Sequence, residues 1–415
     1  MRIARRPLSA VLLAPLAVGA MFLTTACTDS NQSDESGAAS GATGSTAASG
    51  DQDGSSATDV TDGVSAMPTA GGPDKAIIDA DMGQLNDDAV AMFMLTQNAD
   101  KVELLGVTTV AGNTWAEEGT AYSLRQLQLV GREDVPVYQG AGVPLMGDRL
   151  NTIDAEQALW GNSEYIGSLS RERPASYKEL AEEPYGGYPE AAPAEGSAVE
   201  FIADSVRENP GDVTIFALGP ATNIAMFVTE YPDLVPQVKQ IIYMGGAIDI
   251  PGNTTPAAEF NWWYDPEAIR IALHAPFQKQ IVVPNDVAES VYYTKAEYDR
   301  IIAGADTPIT QMFKDRQAER FEKDPNAQSF VWDAMTAAIF LDPSIATDVQ
   351  ERHIDIDTQL GPDYGRALGY HDSRHRDNAT GEGFPANTQK VDIVFDIDHE
   401  KFFDLYTELM GAPLS

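Results

Sequence analysis

Five short apolar segments alternate with helical stretches, and this alternation restricts the fold. Strands that are separated in sequence by helices pair as a mainly parallel sheet, because each crossover helix returns the chain to the same end of the sheet. We therefore predict an α/β domain with a mainly parallel central sheet flanked by helices, an open Rossmann-like arrangement. The predicted strands are residues 75–80, 102–110, 213–218, 240–244 and 280–283.

Four aspartates gather where the first predicted strand gives way to a helix: Asp79, Asp81, Asp87 and Asp88. Open α/β sheets bind their ligands at the carboxyl ends of the strands. Carboxylates this close repel one another unless a cation lies between them, and oxygen ligands favour calcium or magnesium over zinc. Helix capping by Asp87 and Asp88 is the alternative, but it leaves the other two unexplained. The pattern favours a metal site.

Amide and carboxylate side chains also follow the later strands. Asn253, Glu259 and Asn261 lie together in the loop beyond the fourth predicted strand. An isolated asparagine there would be a turn or cap residue. Three such residues in one loop instead favour a site for a polyhydroxylated ligand, such as a sugar.

An aspartate and several tryptophans complete the set of candidates. Asp333 precedes a predicted helix, and taken alone it is better explained as an N-cap. Trp115 and Trp160 fall in predicted loops, where a core tryptophan is less expected. At least one of the adjacent Trp262 and Trp263 is expected to pack rather than to line a site.

These segments together resemble the inosine-uridine nucleoside hydrolases, calcium enzymes that cleave the N-glycosidic bond of nucleosides. The first motif of that family is usually Asp-x-Asp-Pro-Gly-x-Asp-Asp. This chain keeps its start at residues 79–83 and has two extra residues before Asp87 and Asp88. Further segments that are similar to the family are residues 107–113, 217–223, 244–246 and 265–268.

The resemblance implies roles for individual residues. Asp81 would be the general base that takes a proton from water held by calcium. The implied calcium ligands are Asp81, Asp88, Asp333 and the backbone carbonyl of Leu218. The implied ribose-binding residues are Asp87, Asn113, Met244, Asn253, Glu259 and Asn261.

The resemblance also indicates how the nucleobase of the substrate is bound. Many family members carry histidine just before the aspartate that Asp333 matches, whereas this chain has Trp332. The purine-preferring branch has tryptophan there and at the position that Trp160 matches, and it stacks the purine between the two rings. An electron-rich ring face also favours a protonated purine. The resemblance therefore implies base stacking by Trp160 and Trp332 and a preference for purine nucleosides.

The first 26 residues have the layout of a secretory signal. Arg2, Arg5 and Arg6 precede an apolar run that ends shortly before Cys27, the only cysteine. This layout resembles a bacterial lipoprotein signal, which would make Cys27 the lipidated mature N-terminus and anchor the protein to the membrane outside the cytoplasm. A plain secretory signal with an incidental cysteine is the alternative.

Composition then divides the remaining chain and restricts its partners. Residues 27–74 have eight acidic residues, no Lys or Arg and almost no large apolar residue, so we predict a disordered tether. Residues 75–415 form one predicted catalytic domain. Removing residues 1–26 takes away three of the 27 Lys and Arg residues and none of the 63 Asp and Glu residues, which leaves a formal charge of −39. A chain this acidic is not expected to bind nucleic acid.

Two other functions compete with that of a nucleoside hydrolase. A lipoprotein that captures nucleosides or sugars without catalysis would show the same signal, tether and pocket. Zinc hydrolysis through His371 and His375 is a weaker alternative, because no third ligand is evident. The family is commonly dimeric or tetrameric, so the resemblance also implies a homodimer or homotetramer.

Replacing Cys27 tests the anchor. The change Cys27→Ser removes the acceptor for the lipid, so the protein is expected to move from the membrane fraction to the soluble fraction with its activity intact. Fractionation followed by immunoblotting measures this. A serine variant that remains with the membrane would show that the anchor lies elsewhere.

Overall fold

The computed structural model describes residues 72–147, 149–161, 165–371, 383–385 and 387–415. The predicted signal, Cys27, nearly all of the predicted tether and His375 lie outside these ranges. No helix within them combines the length and the apolar character that crossing a membrane requires.

A nine-stranded sheet forms the centre of the described domain, in the order β10-β9-β11-β6-β5-β4-β1-β2-β3. Seven neighbouring strands, from β11 to β3 in this order, are parallel, and β9 and β10 continue the sheet in antiparallel pairing. The predicted α/β class with a mainly parallel sheet is confirmed. The strands are β1 (Asp74–Ala80), β2 (Val102–Thr109), β3 (Val137–Gln139), β4 (Val213–Ala217), β5 (Gln240–Met244), β6 (Gln280–Val283), β9 (Ala346–Ile356), β10 (Ala367–Tyr370) and β11 (Lys390–Ile397), with β7 (Tyr292–Tyr293) and β8 (Ser329–Phe330) paired separately.

Helices cover both faces of the sheet because each strand presents apolar side chains alternately to either side. In β1, Ile78 packs in the cluster that contains α1, α11 and α12, whereas Ile77 packs in the cluster that contains α4, α5 and α7. The helices are α1 (Asp87–Thr96), α2 (Ala116–Leu129), α3 (Leu150–Trp160), α4 (Ala198–Glu208), α5 (Thr222–Glu230), α6 (Phe260–Tyr264), α7 (Pro266–His274), α8 (Asn285–Ala288), α9 (Lys295–Ile302), α10 (Pro308–Lys323), α11 (Ala334–Leu341) and α12 (His399–Gly411).

The register of the parallel strands brings their carboxyl ends together. Asp79 of β1 lies opposite both Thr108 of β2 and Ala217 of β4, so the loops after these three strands begin at the same edge. The strand order also reverses here: β2 and β3 lie on one side of β1, and β4 to β6 lie on the other. Such a reversal opens a crevice at the carboxyl edge, where open α/β sheets bind ligands.

Two tryptophans lie in elements that differ from the prediction. Trp115 is the N-cap residue of α2 and is buried in a small aromatic cluster, so it is a core residue. Trp160 is the last residue of α3 rather than part of a loop. Trp262 and Trp263 are both almost fully buried, as expected for packing residues.

Candidate active site and metal centre

Asp81 follows β1 and is fully buried between two glycines from neighbouring loops. A Cβ atom at Gly112 would lie 2.0 Å from Asp81 Oδ2, and one at Gly219 would lie 2.9 Å from Asp81 Cγ. The backbone N–H of Asn113 donates to Asp81 Oδ2 at 2.5 Å. Only glycine allows the two loops to approach this carboxylate so closely.

Three further carboxylates lie close to one another, and together with Asp81 they are called the acidic cluster below. Asp87 and Asp88 open α1, Asp333 precedes α11, and one oxygen from each lies within 4.8 Å of the others. The side chain of Asp88 also lies close enough to Asp81 for the two carboxyl groups to influence each other's pKa values. The structure therefore brings the predicted ligands Asp81, Asp88 and Asp333 together, and it adds Asp87, which the sequence assigned to ribose.

The unpaired oxygens of this cluster fit a bound cation. The Oδ1 atoms of Asp81, Asp88 and Asp333 are buried and have no hydrogen-bond partner. A buried, unpaired carboxylate oxygen is costly, since it loses its water without gaining a donor. A hard divalent cation, which takes several oxygen ligands, would satisfy all three.

Helix capping does not explain these aspartates. The N-cap of α1 is Asn86, whose side chain accepts from the Ala89 N–H, so Asp87 and Asp88 lie inside the first turn. Asp333 occupies the N-cap position of α11, but its side chain makes no capping hydrogen bond. The capping alternative for Asp333 is therefore not supported by its contacts.

Burial and mutual repulsion raise the pKa values of the cluster. Burial and, to a smaller extent, the charge of the nearby Asp87 carboxylate raise the pKa of Asp81 to about 7. The pKa values of Asp88 and Asp333 are raised well above the usual range, first by burial and then by the charges of the neighbouring aspartates. In the absence of a cation, the cluster therefore holds protons at pH values where an exposed aspartate is ionised.

A cavity of about 430 Å³ opens above the cluster. It contains all six residues predicted to bind ribose, together with Asp333 and Trp332. In the described part of the chain its lining is Gly83, Asn86, Asp87, Asn113, Thr114, Tyr165, Met244, Asn253, Glu259, Phe260, Asn261, Trp332 and Asp333. Asp81, Asp88 and Leu218 do not form its wall, and Asp81 is linked to it through Asn113.

Hydrogen bonds from residues at the start of α6 fix the polar wall of the cavity. The Asn261 side-chain amide donates to the Leu218 carbonyl at 2.8 Å and to the Met244 carbonyl at 3.1 Å. Glu259 accepts from three backbone N–H groups, those of Gly246, Asn261 and Trp262. Burial nevertheless raises the pKa of Glu259 to about 7.

Asp79 stabilises the carboxyl edge of the sheet through hydrogen bonds to neighbouring elements. It is fully buried and accepts from Thr108 Oγ1 at 2.6 Å and from Asn223 Nδ2 at 2.7 Å. Asn223 in turn accepts from the Ala141 N–H at 2.9 Å. Asp79 thus joins β1 to β2 and α5 and is not part of the acidic cluster.

Trp332 and Trp160 lie in different places. Trp332 lines the cavity, but Trp160 lines a second cavity beside Ile248, Asp249 and Arg366. The structure therefore does not bring these two rings together at one cavity, as the predicted sandwich of a nucleobase would require. Residues up to Trp160 continue α3, so Trp160 ends a helix and does not lie in the predicted loop.

Two aromatic residues of the cavity were not identified from the sequence. Tyr165 donates to Asn113 Oδ1 at 2.6 Å, and its ring lies 5.0 Å from that of Phe260. Phe260 adjoins the predicted Glu259 and Asn261, which was a usable signal. Tyr165 has no such neighbour in sequence, and only the fold brings it to Asn113.

A parallel sheet, a carboxyl-edge cavity and a cluster of unpaired carboxylates define a metal-assisted hydrolase site. The family model for inosine-uridine preferring nucleoside hydrolase matches residues 76–404, and the chain belongs to this family. It is accordingly an enzyme of the nucleoside hydrolase class that uses a metal ion, and the binding-only alternative is wrong.

Curated relatives agree with this assignment. The chain is 31% identical over 341 residues to the pyrimidine-specific ribonucleoside hydrolase RihA of Salmonella typhimurium, covering 80% of this chain and 96% of the relative. It is 30% identical over 329 residues to RihB of Escherichia coli, a protein of the same description, covering 78% and 93%.

Solved structures show the same fold. A plant nucleoside hydrolase, PpNRh1, superposes with a TM-score of 0.66 at 27% identity, covering 82% of this chain and 100% of that chain. A purine-preferring ribonucleoside hydrolase from Gardnerella vaginalis has a TM-score of 0.62 at 22% identity, covering 81% and 98%.

Calcium is expected to stabilise the protein more strongly at higher pH. The raised pKa values mean that the cation-free folded state binds more protons than the unfolded state above about pH 4, so its free energy of unfolding decreases as pH rises towards and beyond about 7. A cation removes this loss by pairing with the ionised carboxylates. Melting temperatures with EDTA and with calcium, at about pH 5.5 and about pH 8, measure the difference.

Two variants serve as a matched pair in this measurement. Asp333→Asn is expected to lose most of the calcium-dependent rise in melting temperature, and Asp299→Asn, at an exposed pair with Lys295, should retain it. An equal rise for wild type at both pH values would contradict the assignment of the cluster as the cation site.

Proposed function

We propose that this enzyme hydrolyses the N-glycosidic bond of ribonucleosides with calcium as its metal, that it prefers purine nucleosides, and that it acts outside the cytoplasm. The observation that carries the proposal is the set of buried, unpaired Oδ1 atoms on Asp81, Asp88 and Asp333 beneath a cavity lined by amides, carboxylates and aromatic rings.

The chemistry follows from the bond that breaks. Cleavage of the bond between ribose C1′ and the base nitrogen develops positive charge on the ribose, which carboxylates near the cavity stabilise. Asp87 and Glu259 line the cavity, which supports this role for them. The ribose hydroxyls find amide partners in Asn113, Asn253 and Asn261, which line the cavity.

Asp81 takes the proton from the attacking water. Burial raises the pKa of this carboxyl to about 7, and the positive charge of a cation would oppose that rise. A general base is most effective when its pKa lies near the working pH. Calcium, when held by Asp81, Asp88, Asp333 and the Leu218 carbonyl, supplies positive charge that lowers the pKa of water. The all-oxygen donor set supports calcium rather than zinc.

The purine preference rests on aromatic surface. Trp332, Phe260 and Tyr165 all line the cavity, and a purine presents more ring area for stacking than a pyrimidine does. RihA and RihB are described as pyrimidine-specific, so cleavage of uridine and cytidine is the competing outcome. Trp332 stands where many family members have histidine, and this difference supports a different base preference.

The location outside the cytoplasm rests on residues 1–26 and Cys27, which resemble a lipoprotein signal and its lipidation site. A nucleoside hydrolase held there by a tether would release free base and ribose for uptake.

Replacing Asp81 tests the mechanism. Asp81→Asn removes the base and one cation ligand, so turnover should fall by at least the order of 10²- to 10⁴-fold expected for loss of a general base. Asp88→Asn should act mainly through cation affinity, so excess calcium should partly restore it. Release of free ribose from inosine measures both variants, and Asp299→Asn is the surface control. Near-normal turnover by Asp81→Asn would show that another group is the base.

Replacing Trp332 tests the base preference. Stacking is worth roughly 1–3 kcal/mol per base, so Trp332→Ala should lower purine turnover about ten- to a hundredfold. Wild type should cleave inosine, adenosine and guanosine ahead of uridine and cytidine. A nucleoside panel with calorimetric calcium titration checks both the preference and the integrity of the metal site. Equal losses on purines and pyrimidines, or a wild type that prefers uridine, would refute the purine assignment.

A further inference from the structure

The loop between β1 and α1 contains the two residues by which this chain exceeds the usual family motif, and its backbone is unusual. Leu85 has a φ of 53°, in the left-handed region that residues other than glycine rarely adopt. Among the described residues only Asn387 shares this property. A conformation of this kind persists only where surrounding contacts impose it.

Contacts from two directions hold this loop. Gln126, buried on α2, donates to the Gly83 carbonyl at 3.0 Å and accepts from the Leu85 N–H at 3.2 Å. Gln84 accepts from the Tyr185 N–H at 2.7 Å and donates to Glu182 at 2.8 Å. The Leu85 side chain is buried in the main hydrophobic cluster. These contacts therefore fix the position of Asn86 at the end of the loop.

Asn86 makes two different hydrogen bonds with its one amide group. Its Oδ1 accepts from the Ala89 N–H at 3.2 Å, and its Nδ2 donates to Asp88 Oδ2 at 2.5 Å. Because a backbone N–H can only donate, the Ala89 contact fixes which side of the amide is oxygen and directs the N–H group to Asp88. The other carboxylate oxygen of Asp88, Oδ1, has no partner.

The two oxygens of Asp88 thus differ in their contacts: Oδ2 accepts a hydrogen bond from Asn86, and Oδ1 remains available to bind a cation. Partners that orient a ligand in this way contribute substantially to metal affinity. We propose that Asn86 is a positioning residue for Asp88 as a cation ligand, and that the contacts of Gln84, Leu85 and Gly83 place it there. This inference rests on the proposed calcium site. The simpler role, capping of α1 alone, makes a different prediction.

Serine and alanine separate the two roles. Serine caps helices about as well as asparagine but lacks the amide N–H group that reaches Asp88. In the full-length protein without cations, Asn86→Ser should therefore melt near the wild-type temperature, and Asn86→Ala should melt lower. Both variants should bind calcium about 10- to 100-fold more weakly than wild type. Isothermal titration of EDTA-stripped protein with calcium, without nucleoside, measures this, since Asn86 also borders the cavity.

Asn98→Ser is the matched control. Asn98 lies just beyond the other end of α1 and donates to the Met94 carbonyl, so its replacement should leave calcium affinity unchanged. Wild-type calcium affinity in Asn86→Ser would overturn the positioning role and leave the calcium site standing. A wild-type protein that binds no calcium would overturn both proposals. Affinity loss in both Asn86 variants, with the melting temperature restored only by serine, supports the inference.

Discussion

Carboxylates held away from water need a compensating positive charge, and this requirement governs the carboxyl edge of the sheet. Asp81, Asp88 and Asp333 are buried with oxygens that no donor satisfies. Burial of an ionised carboxylate costs several kcal/mol even after the protein relaxes. A fold that only needed stability would not retain them, so their arrangement is explained by function. The same cost raises the pKa values of Asp81 and Asp88, because burial favours the neutral, protonated carboxyl group over the ionised one.

The sheet makes this concentration of charge feasible because its central strands are buried and mostly apolar. β4 and β5 are buried along their whole length, and Asp81, Asp87, Asp88 and Asp333 all lie outside the strands. The sheet therefore supplies the stability, while the loops at one edge carry the acids. The close approach of Gly112 and Gly219 to Asp81 shows how little space separates these loops.

The sequence predicted the parallel part of the fold well, because fully buried strands are short apolar runs with polar boundaries. The bounds of β5 and β6 agree with the prediction, and those of β1, β2 and β4 differ by one residue. β9 was not predicted, because much of it is exposed or half-buried and its sequence reads as polar. β3 has only three residues, too few to give a periodic signal.

The site was predictable where a motif lies at a strand end, and not where distant packing decides. Asp87, Asn113 and Asn261 follow strands and line the cavity as expected. Trp160 was predicted to stack on the nucleobase from the short segment Trp160-Gly161 alone. In the structure it ends α3 and lines a different cavity from the one above the acidic cluster. Tyr165 reaches Asn113 only through the fold.

The ends of the main sheet also bear on assembly. Among the residues that the structure describes, the two outermost strands of the sheet are short: β3 has three residues and β10 has four. Short edge strands offer few unpaired backbone groups, which protects a sheet against the addition of strands from other molecules. Any association between copies of this enzyme would therefore use side chains on helices and loops, and a continuous intermolecular sheet is not expected.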